Sequence, residues 1–449
     1  MNRTDSTTGQ SFDDKVYRKV TLRLIPFLFA CYVLACLDRI NVGFAQLQMK
    51  QDVGLSDAAY GLGAGILFIG YVLFEVPSNL YMQKVGARKT IARIMILWGL
   101  TSAGMYAVTT PTMFYVLRFM LGVFEAGLFP GVLLFLTYWY PRRLHARVIS
   151  RFMIAIVVAG LLGGPLSGAI LAHAPHDSAL RGWQWMFLLE GLPSSLFGIL
   201  AWFYLTDRPF QAKWLSEAEK NVIQADIDAE PKVKTTQGLA TWHYAFKDPQ
   251  TYALAICFFA AQCGGYAVLF WMPIIIRELG VPSAMEVGLY SMIPYGIAIA
   301  AMLWWGGHSD RKLERRWHFA GAIYAAAAGL GVIACAEGNL ALSLLGLTIA
   351  TASVMASYPV FWAIVPAYLP PIAVGVGFAF INTVGAIGGF VSPSLIGYIR
   401  NTTGNTNYAL YPIIAILVAG ASMLLYIMRR KEPPAKGQGA TTVLTQAIR

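Results

Sequence analysis

The chain has 449 residues, of which 57% are hydrophobic and only 13% are charged, whereas an ordinary soluble domain is about 25% charged. This composition excludes a soluble globular enzyme or binding module, which would need a more polar surface. The net charge of +11 would suit a nucleic-acid partner. No basic patch is interleaved with aromatic residues on a polar domain, however, so nucleic-acid binding is not expected.

Apolar runs of membrane-spanning length recur along the sequence and predict twelve transmembrane helices. In chain order they lie near residues 22–46, 60–82, 91–110, 113–139, 147–172, 185–205, 251–275, 287–307, 317–336, 340–368, 373–398 and 408–428. A long polar stretch separates the sixth and seventh helices, and it contains an amphipathic helix that begins with a capping-box sequence at Ser216. The expected organisation is an N-tail (1–21), a first six-helix bundle (22–205), a cytoplasmic linker (206–250), a second six-helix bundle (251–428) and a C-tail (429–449).

Lysine and arginine residues are unevenly divided between the two ends of these helices. The tails and the loops after even-numbered helices hold 28 of the 34, the other loops hold four, and two lie inside helices. By the positive-inside rule this asymmetry places both termini in the cytoplasm. We therefore expect a multi-pass plasma-membrane protein (inner membrane in a Gram-negative bacterium) that contacts the lipid bilayer and acts as a monomer.

The stretch LACLDRINVGF, residues 34–44, places Asp38 and Arg39 near the centre of the first predicted helix. A charge at the bilayer centre costs about 2.5–3.5 kcal/mol on insertion scales, so such residues usually serve a function. The fourth helix carries Arg118 and Glu125, which point the same way but lie about 10 Å apart along the axis. Because that separation is too large for a direct bond, each is expected to find its partner in the first helix. The two acids and two bases are then expected to face one cavity.

Chemistry divides these four residues into two groups. An arginine guanidinium stays charged and presents a planar fork that binds a carboxylate, so Arg39 and Arg118 are candidate ligands for an anion. A carboxyl group in a low-dielectric site can carry a proton at neutral pH, so Asp38 and Glu125 are candidate proton carriers. The alternative is that all four form buried ion pairs that only fix helix packing. No cofactor, metal site or disulfide is expected, because the five cysteines lie in apolar runs without a Cys-x-x-Cys pair.

Sequence self-similarity divides the chain into two halves. The segments 129–141 and 358–370 share two proline positions at an offset of 229, and a proline in each fifth helix matches at an offset of 228. The loop 79–89 aligns with the loop 306–316 at an offset of 227. Three anchors at nearly one offset indicate two six-helix halves related as parallel repeats. This arrangement is typical of transporters whose site lies between the halves.

The repeat pairs Asp38 with Tyr266 and Glu125 with Val354, so the second half lacks the charges of the first. In their place the second half carries polar and aromatic residues, namely Gln262, Trp271, Tyr358, Trp362 and Asn382. We expect the first half to handle charge and protons, and the second half to shape the site around a substrate. For the aromatic residues, core packing or lipid contact is the alternative.

Several motifs carry a resemblance to known proteins. The loop GGHSDRKLERR resembles the Gly-x-x-x-Asp-Arg loop motif of the major facilitator superfamily, although its first-half counterpart has Asn79 and Gln83 in place of the glycine and the aspartate. Arg118 and Gly122 resemble that superfamily's Arg-x-x-x-Gly motif. Within the superfamily, residues about 20–430 resemble the anion:cation symporter family through the stretches LDRINVGFA, GYVLFEVPSNL, RFMLGVFEAGLFPG, YWYPRRLHARV and GWQWMFLLEGLP.

The resemblance implies the major facilitator fold, an all-α membrane protein with proton-coupling acids at Asp38 and Glu125. Combined with the chemistry and the repeat, it assigns substrate binding to Arg39, Arg118, Tyr71, Gln262, Trp362 and Asn382, and gating loops to Lys84, Arg88, Asp310 and Arg311. Two further acids, Glu75 and Glu190, lie away from the predicted helix centres and are interpreted as structural.

The sequence therefore favours a secondary transporter that imports a small organic anion by proton symport with alternating access. The similar family imports carboxylates such as tartrate, phthalate, hydroxyphenylacetate and sugar acids. Alternatives on the same fold are an anion exchanger or organophosphate-type antiporter, which the glycine-proline stretch 160–168 would suit, and a Na⁺-coupled symporter. A membrane enzyme is not expected, because the sequence lacks HExxH, GxSxG and a metal-ligand cluster.

Overall fold

The structure is a computed structural model that describes residues 12–175, 179–229, 249–336, 338–369 and 374–429. Most of the two predicted tails, much of the predicted linker and Pro370 of the repeat lie outside the described residues. Within them, every regular element is a helix.

Fourteen α-helices follow one another in the described ranges, with short 3₁₀ turns at Met105–Ala107 and Pro209–Gln211. The α-helices are α1 (Phe12–Val53), α2 (Asp57–Val85), α3 (Ala87–Gly104), α4 (Pro111–Glu125), α5 (Leu128–Thr137), α6 (Arg142–His173), α7 (Gly182–Tyr204), α8 (Glu217–Asp228), α9 (Pro249–Glu278), α10 (Ala284–Lys312), α11 (Arg316–Ala334), α12 (Leu340–Tyr368), α13 (Val374–Thr403) and α14 (Thr406–Arg429).

Eleven segments of the described chain are long and apolar enough to cross a membrane, and each matches one of the twelve predicted spans. The remaining predicted span is α3. The 18 residues of α3 include the three cations Arg88, Lys89 and Arg93. Each of the eleven other segments instead contains an apolar stretch of 18 residues with at most two charged residues. The three cations all lie in the first two turns of α3, so its apolar part is shorter than that of its neighbours.

The fourth predicted span is interrupted in the structure. Together α4 and α5 form one membrane-crossing segment, but α4 ends at Glu125 and α5 begins at Leu128. Between them Gly127 has a φ of 91°, a left-handed conformation that a residue with a Cβ avoids. Pro130, in the first turn of α5, has no N–H to continue the helical hydrogen bonds. The break places Glu125 at a helix C-terminus, which a continuous helix would not do.

The helices pair in the same pattern in both halves. In the first half α1 packs on α6, α2 on α4 and α3 on α7. In the second half the equivalent pairs are α9 on α13, α10 on α12 and α11 on α14. Between the halves, α2 packs on α13 and α6 packs on α10, so each second helix meets the other half's fifth helix. The predicted pair of six-helix repeats is confirmed by this packing.

Glycines bring the two halves into backbone contact. A Cβ added at Gly61 of α2 would lie 2.3 Å from the carbonyl oxygen of Pro393 in α13, and one at Gly288 of α10 would lie 2.3 Å from that of Gly164 in α6. Pro393 and Pro165, which follows Gly164, are the matched prolines of the repeat. All these residues lie in the helix ends remote from the start of α1. The halves are therefore closely packed at the end of the molecule opposite to the chain termini.

The linker helix α8 is bound to the first half. Its N-terminus carries the predicted capping box, in which the side chains and backbone N–H groups of Ser216 and Glu219 bond reciprocally. Lys19 of α1 pairs with Glu219 at 2.8 Å, and Arg143 of α6 pairs with Asp226 at 2.6 Å. Both partners lie at the starts of their helices, so α8 caps the end of the first half at which α1 begins.

We expect Gly288→Ala to destabilise the fold, because the new Cβ would collide with a backbone atom, which cannot move aside without separating α6 from α10. The apparent Tm in detergent should fall by several degrees. The matched control is Gly321→Ala in α11, where nothing lies within 4 Å of the added Cβ. Since alanine favours a helix over glycine by about 0.8–1 kcal/mol, that Tm should hold or rise. Equal losses in both variants would contradict close packing between the halves.

Candidate functional site

Arg39 and Glu125 form an ion pair between α1 and α4. Arg39 Nε donates to Glu125 Oε1 at 2.7 Å, and the two side chains are 22% and 3% exposed. Within the described residues neither Nη nitrogen of Arg39 makes a hydrogen bond, and Glu125 Oε2 also has no partner. The predicted pairing of the fourth helix's acid with a base of the first helix is confirmed. The guanidinium keeps donors with which it can bind a second anion.

The position of Glu125 makes this pair electrostatically necessary. Glu125 is the last residue of α4, and the carboxylate therefore lies at the negative end of the helix dipole. It is also nearly fully buried, which penalises an uncompensated charge. The guanidinium of Arg39 offsets both effects. Removing its positive charge would leave a buried carboxylate without its compensating partner.

Aromatic residues from both halves surround the pair. The guanidinium carbon of Arg39 lies 5.6 Å from the centre of the Tyr71 ring, a cation–π geometry. Tyr266 of α9 packs its ring on Phe68 of α2, one turn before Tyr71, at a centroid distance of 4.4 Å. Because Tyr266 belongs to the second half, the pair lies where the two halves meet. The repeat offset, which pairs Tyr266 with Asp38, was the sequence signal for it.

A further acid, Glu75 of α2, links the two halves beside this pair. Asn382 Nδ2 and Thr383 Oγ1, both on α13, donate to its two carboxylate oxygens at 3.1 and 3.3 Å. Glu75 lies one turn after Tyr71 on α2. The predicted substrate ligand Asn382 thus has a protein partner here. Glu75, interpreted from sequence as structural, belongs to the contact between the halves.

Asp38 does not face this site. Its carboxylate accepts hydrogen bonds from Ser102 Oγ of α3 at 2.7 Å, Ser194 Oγ of α7 at 3.2 Å and Asn41 Nδ2 at 3.2 Å. Successive helical residues point about 100° apart. Because Arg39 points toward α4, Asp38 points away from it, toward α3 and α7. The prediction that both acids and both bases face one cavity was wrong for Asp38.

Arg118 also lies apart from the pair. Its Nε and Nη2 donate to the carbonyl oxygens of Gly63 at 3.2 Å and Ala64 at 3.0 Å, both on α2, and the side chain is buried. One turn later, a Cβ at Gly122 would lie 1.8 Å from the carbonyl oxygen of Leu67. Arg118 and Gly122 together hold α2 against α4. The expected bond from Arg118 to an acid of the first helix is not formed: its Nε and Nη2 donate to carbonyls of α2, and its buried Nη1 has no partner among the described residues.

The two remaining predicted ligands of the second half have different surroundings. Gln262 lies one turn before Tyr266 on α9, and a Cβ added at Gly388 of α13 would lie 3.2 Å from its Cβ. Trp362 instead stacks on Phe378 with a centroid distance of 4.9 Å and meets Phe258 edge-on at 4.8 Å. These contacts match the core-packing alternative for Trp362, whose partly buried ring packs on aromatic residues of its own half.

The predicted gating loops lie at the ends of α2 and α10 that face the side of the chain termini, and they carry Lys84, Arg88, Asp310 and Arg311. The backbone N–H of Arg88 donates to Asp207 Oδ1 at 2.8 Å within the first half. Asp310 lies 3.6 Å from Arg315 within the second half. In the described part of the chain no hydrogen bond or ion pair joins the two loops. Among the described residues, an ion pair that does join the halves, Arg400 with Asp57 at 3.0 Å, lies at the opposite end.

The chemistry of the site suits an organic anion. The Nη donors of Arg39 are available, and the rings of Tyr71 and Tyr266 provide walls that can contact carbon atoms. Among the described residues, no group of three or more His, Cys, Asp or Glu side chains is placed to hold a metal ion. The arrangement can bind one carboxylate in competition with Glu125.

Breaking the ion pair from one side is expected to destabilise the protein more than replacing both partners. Arg39→Met and Glu125→Met each leave an unpaired buried charge and should each cost about 3 kcal/mol, the low end for buried pairs, since Arg39 is partly exposed. The double variant should cost less than the sum of the two. Thermal unfolding in detergent measures all three variants, and strictly additive losses would contradict a direct interaction.

Comparison with known proteins identifies the family. The family model described as Major Facilitator Superfamily matches residues 28–393. A protein of Agrobacterium vitis named as a tartrate transporter is 43% identical over 434 residues, covering 96% of this chain and 95% of the relative. The Pseudomonas putida protein named as metabolite transport protein NicT is 43% identical over 413 residues, covering 91% and 94%. An Acinetobacter baumannii protein named as a quinolone resistance transporter is 37% identical, covering 94% and 96%.

Solved structures show the same fold. A bacterial homologue of the human lysosomal transporter Spinster superposes with a TM-score of 0.74 at 17% identity, covering 92% of this chain and 97% of that one. The xylose transporter XylE of Escherichia coli superposes with a TM-score of 0.70 at 15% identity, covering 94% and 98%. With the repeated six-helix packing and the family match over most of its length, this multi-pass membrane protein belongs to the major facilitator superfamily of transporters.

Proposed function

We propose that this transporter imports a small organic carboxylate by proton symport, with Arg39 as the anion ligand and Glu125 as the proton carrier. The observation that carries the proposal is the bond from Arg39 Nε to Glu125 Oε1 at 2.7 Å, made while both Nη nitrogens of Arg39 and Oε2 of Glu125 have no partner in the described residues. The guanidinium of Arg39 can therefore bind either the carboxylate of Glu125 or the carboxylate of a substrate.

Competition for Arg39 couples the two ligands. When Glu125 is ionised, it holds the guanidinium and offers a negative charge that repels an incoming anion. A proton on Glu125 removes that charge and leaves Arg39 free to bind the substrate carboxylate through two parallel hydrogen bonds. By linkage, a bound anion favours protonation of Glu125 to the same extent. Proton and anion therefore bind together, which is the requirement for symport.

Movement between the halves would carry this site from one side of the membrane to the other. The glycine contacts of Gly61 and Gly288 close one end, and the loops at the other end are not joined to each other in the described residues. Glu75 with Asn382 connects the halves beside the site. The positive-inside rule assigns the loop end, with α8 and both termini, to the cytoplasm. This would make the structure a state that is closed toward the outside.

The comparisons and the site chemistry favour carboxylates of small size. One relative at 43% identity is named as a tartrate transporter, and another at 43% identity is named as metabolite transport protein NicT. Tartrate is a small carboxylate. The tyrosine hydroxyls of Tyr71 and Tyr266 could bond to a hydroxy acid such as tartrate, and their rings could stack on an aromatic acid such as phthalate. We rank tartrate first, with sugar acids and aromatic acids as the other members of the test panel.

The decisive experiment is uptake into proteoliposomes. Labelled tartrate, a sugar acid and phthalate are offered with and without an inward proton gradient, at fixed sodium. Wild type should accumulate one of them only with the gradient. Glu125→Gln mimics a permanently protonated acid, so it should lose gradient-driven accumulation while retaining exchange of labelled for unlabelled substrate. Arg39→Lys should lose both, since lysine cannot offer the bidentate fork.

The control variant is Glu286→Gln, which removes an exposed acid outside the site and should behave as wild type. Uptake that needs preloaded internal anion, ignores the proton gradient and survives Glu125→Gln would contradict symport and establish the exchanger. Accumulation driven by a sodium gradient at constant pH would establish the Na⁺-coupled alternative instead.

A further inference from the structure

A chain of three ionisable side chains lies at the corner between α10 and α11, and the proposed mechanism does not use it. His308 Nδ1 of α10 lies 2.7 Å from His318 Nε2 of α11, and His318 Nδ1 lies 2.5 Å from Glu314 Oε2. His318 is buried, and its ring lies 5.0 Å from that of Trp305. The His308 ring stacks on Trp304 at a centroid distance of 5.6 Å. The two histidines are therefore held in place on both sides.

Glu314 fixes the positions of the hydrogens in this chain. Its carboxylate accepts the backbone N–H groups of Trp317 at 2.6 Å and His318 at 3.2 Å, so it caps the start of α11 as an acceptor. His318 Nδ1 must then carry the hydrogen between the ring and the carboxylate. In a neutral ring the opposite nitrogen is an acceptor, so His308 Nδ1 donates to His318 Nε2. His308 Nε2 keeps a lone pair and makes no hydrogen bond within the described residues.

One proton can enter this chain without breaking a bond. On His308 Nε2 it makes an imidazolium that still donates from Nδ1 to His318, and this cation lies against the ring of Trp304. Transfer of the Nδ1 hydrogen to His318 moves the charge next to Glu314. A second proton would place hydrogens on both nitrogens of the 2.7 Å contact and break it. Because histidine is the side chain whose charge changes between pH 5 and 8, uptake of one proton is expected in that range.

The charged groups around the chain belong to the same corner, namely Asp310, Arg311, Lys312, Arg315 and Arg316. Arg315 lies 3.6 Å from Asp310 and donates to the carbonyl oxygen of Ala363 on α12. Near this end of the helices packed against α10 and α11, the described titratable groups are Tyr368 of α12 and Tyr426 of α14. Tyrosines are uncharged between pH 5 and 8. Within the described residues, the acids that can balance an added proton here are thus Glu314 and Asp310.

We propose that His308, His318 and Glu314 form a pH sensor that binds one proton from the side of the gating loops and, when charged, slows the closure of that end of the molecule. The charge acts on the loop of the first half. Residues 84–89 carry three cations and no acid, and residues 310–316 carry four cations and two acids, a net charge of +2. Both loops are therefore positive, and the added proton raises the second from +2 to +3.

The two gating loops have to approach each other when the transport site opens to the opposite side. Exposed charges repel over about 8–10 Å at moderate salt, so a higher charge opposes the closed arrangement. Proton symport would deliver protons to the loop side, and the sensor would then slow further import as that side becomes acidic. This regulatory role rests on the function proposed above, whereas the binding of the proton does not.

Proton binding can be measured without transport. The imidazole Cε1 hydrogen exchanges with deuterium at a rate that depends on the protonation of the ring, and mass spectrometry of peptides follows each histidine of the purified full-length protein. Between pH 8 and 5, His308 and His318 should gain one proton between them. Glu314→Gln should lower the protonated fraction of His318 at pH 6, because the neighbouring negative charge is lost. His145, which bonds to the backbone carbonyl of Tyr140, is the internal control and should gain a proton by itself.

The regulatory role is measured as exchange of labelled for unlabelled tartrate, or for the member of the test panel that wild type accumulates, in oriented proteoliposomes. Lowering the pH on the loop side alone from 8 to 6 should slow exchange by wild type several-fold. The double variant His308→Gln/His318→Gln should lose most of this slowing, and the control His145→Gln should retain it. Higher salt should weaken the slowing in wild type, since salt screens exposed charges.

The outcomes separate the sensor from the transport mechanism. Two histidines that each become fully protonated, independently of each other, would overturn the chain, and so would a Glu314→Gln variant in which both rings exchange as in wild type. If the chain binds its proton but the double variant responds to pH as wild type does, the regulatory role is overturned and the proton site stands. If no carboxylate is transported, the function proposed above fails and the regulatory role with it, while the exchange at His308 and His318 still confirms or refutes the proton site.

Discussion

The ion pair of Arg39 and Glu125 is the constraint around which the site is arranged. A carboxylate at the end of α4, nearly buried and at the negative end of a helix dipole, requires a cation within bonding distance. Arg39 supplies it from α1, and the same guanidinium contacts the ring of Tyr71 on α2. One side chain thereby sets the relative positions of three helices. An anion that binds the free Nη nitrogens of Arg39 would compete with Glu125 for the charge of the same guanidinium.

The two halves share a packing pattern but contribute different chemistry. The first half supplies the buried charges, and the second half supplies Tyr266 and the amide of Asn382 at the same interface. The contact surfaces between the halves bring glycines against backbone carbonyls, and specific side-chain bonds also cross them. Arg400 of α13 pairs with Asp57 of α2 at 3.0 Å, and Asn382 bonds to Glu75 at 3.1 Å. Motion of one half against the other would have to break such bonds.

Much of this could be predicted from the sequence, because the signals are local or periodic. The apolar runs gave the spans, the offset of the prolines gave the repeat, and the buried charges pointed to Arg39 and Glu125. The direction of Asp38 could not be predicted, since the angle between consecutive residues is known but the rotation of the whole helix is set by its neighbours. The bonds from Arg118 to backbone carbonyls likewise leave no trace in a sequence.

Glu75 and Glu190 are interpreted from sequence as structural by their depth along their own helices. The partners that hold them lie on other helices and could not be predicted. Glu75 bonds to residues more than 300 positions away in the chain, on the opposite half. The helix break at Gly127 is a different case. A glycine followed closely by Pro130 is a local signal for a break, but the long apolar run predicts one continuous helix across it.

The docking of α8 determines how any motion between the halves could be observed. Ion pairs with Lys19 and Arg143 fasten this helix to the first half, so a fluorophore attached to its outer face would travel with that half as a rigid marker. The side chain of Glu217 is 83% exposed and offers such an attachment point. A second dye on the exposed Lys312, at the end of α10, would report the other half. The distance between the two dyes, measured on single molecules, would then report how far the two halves separate.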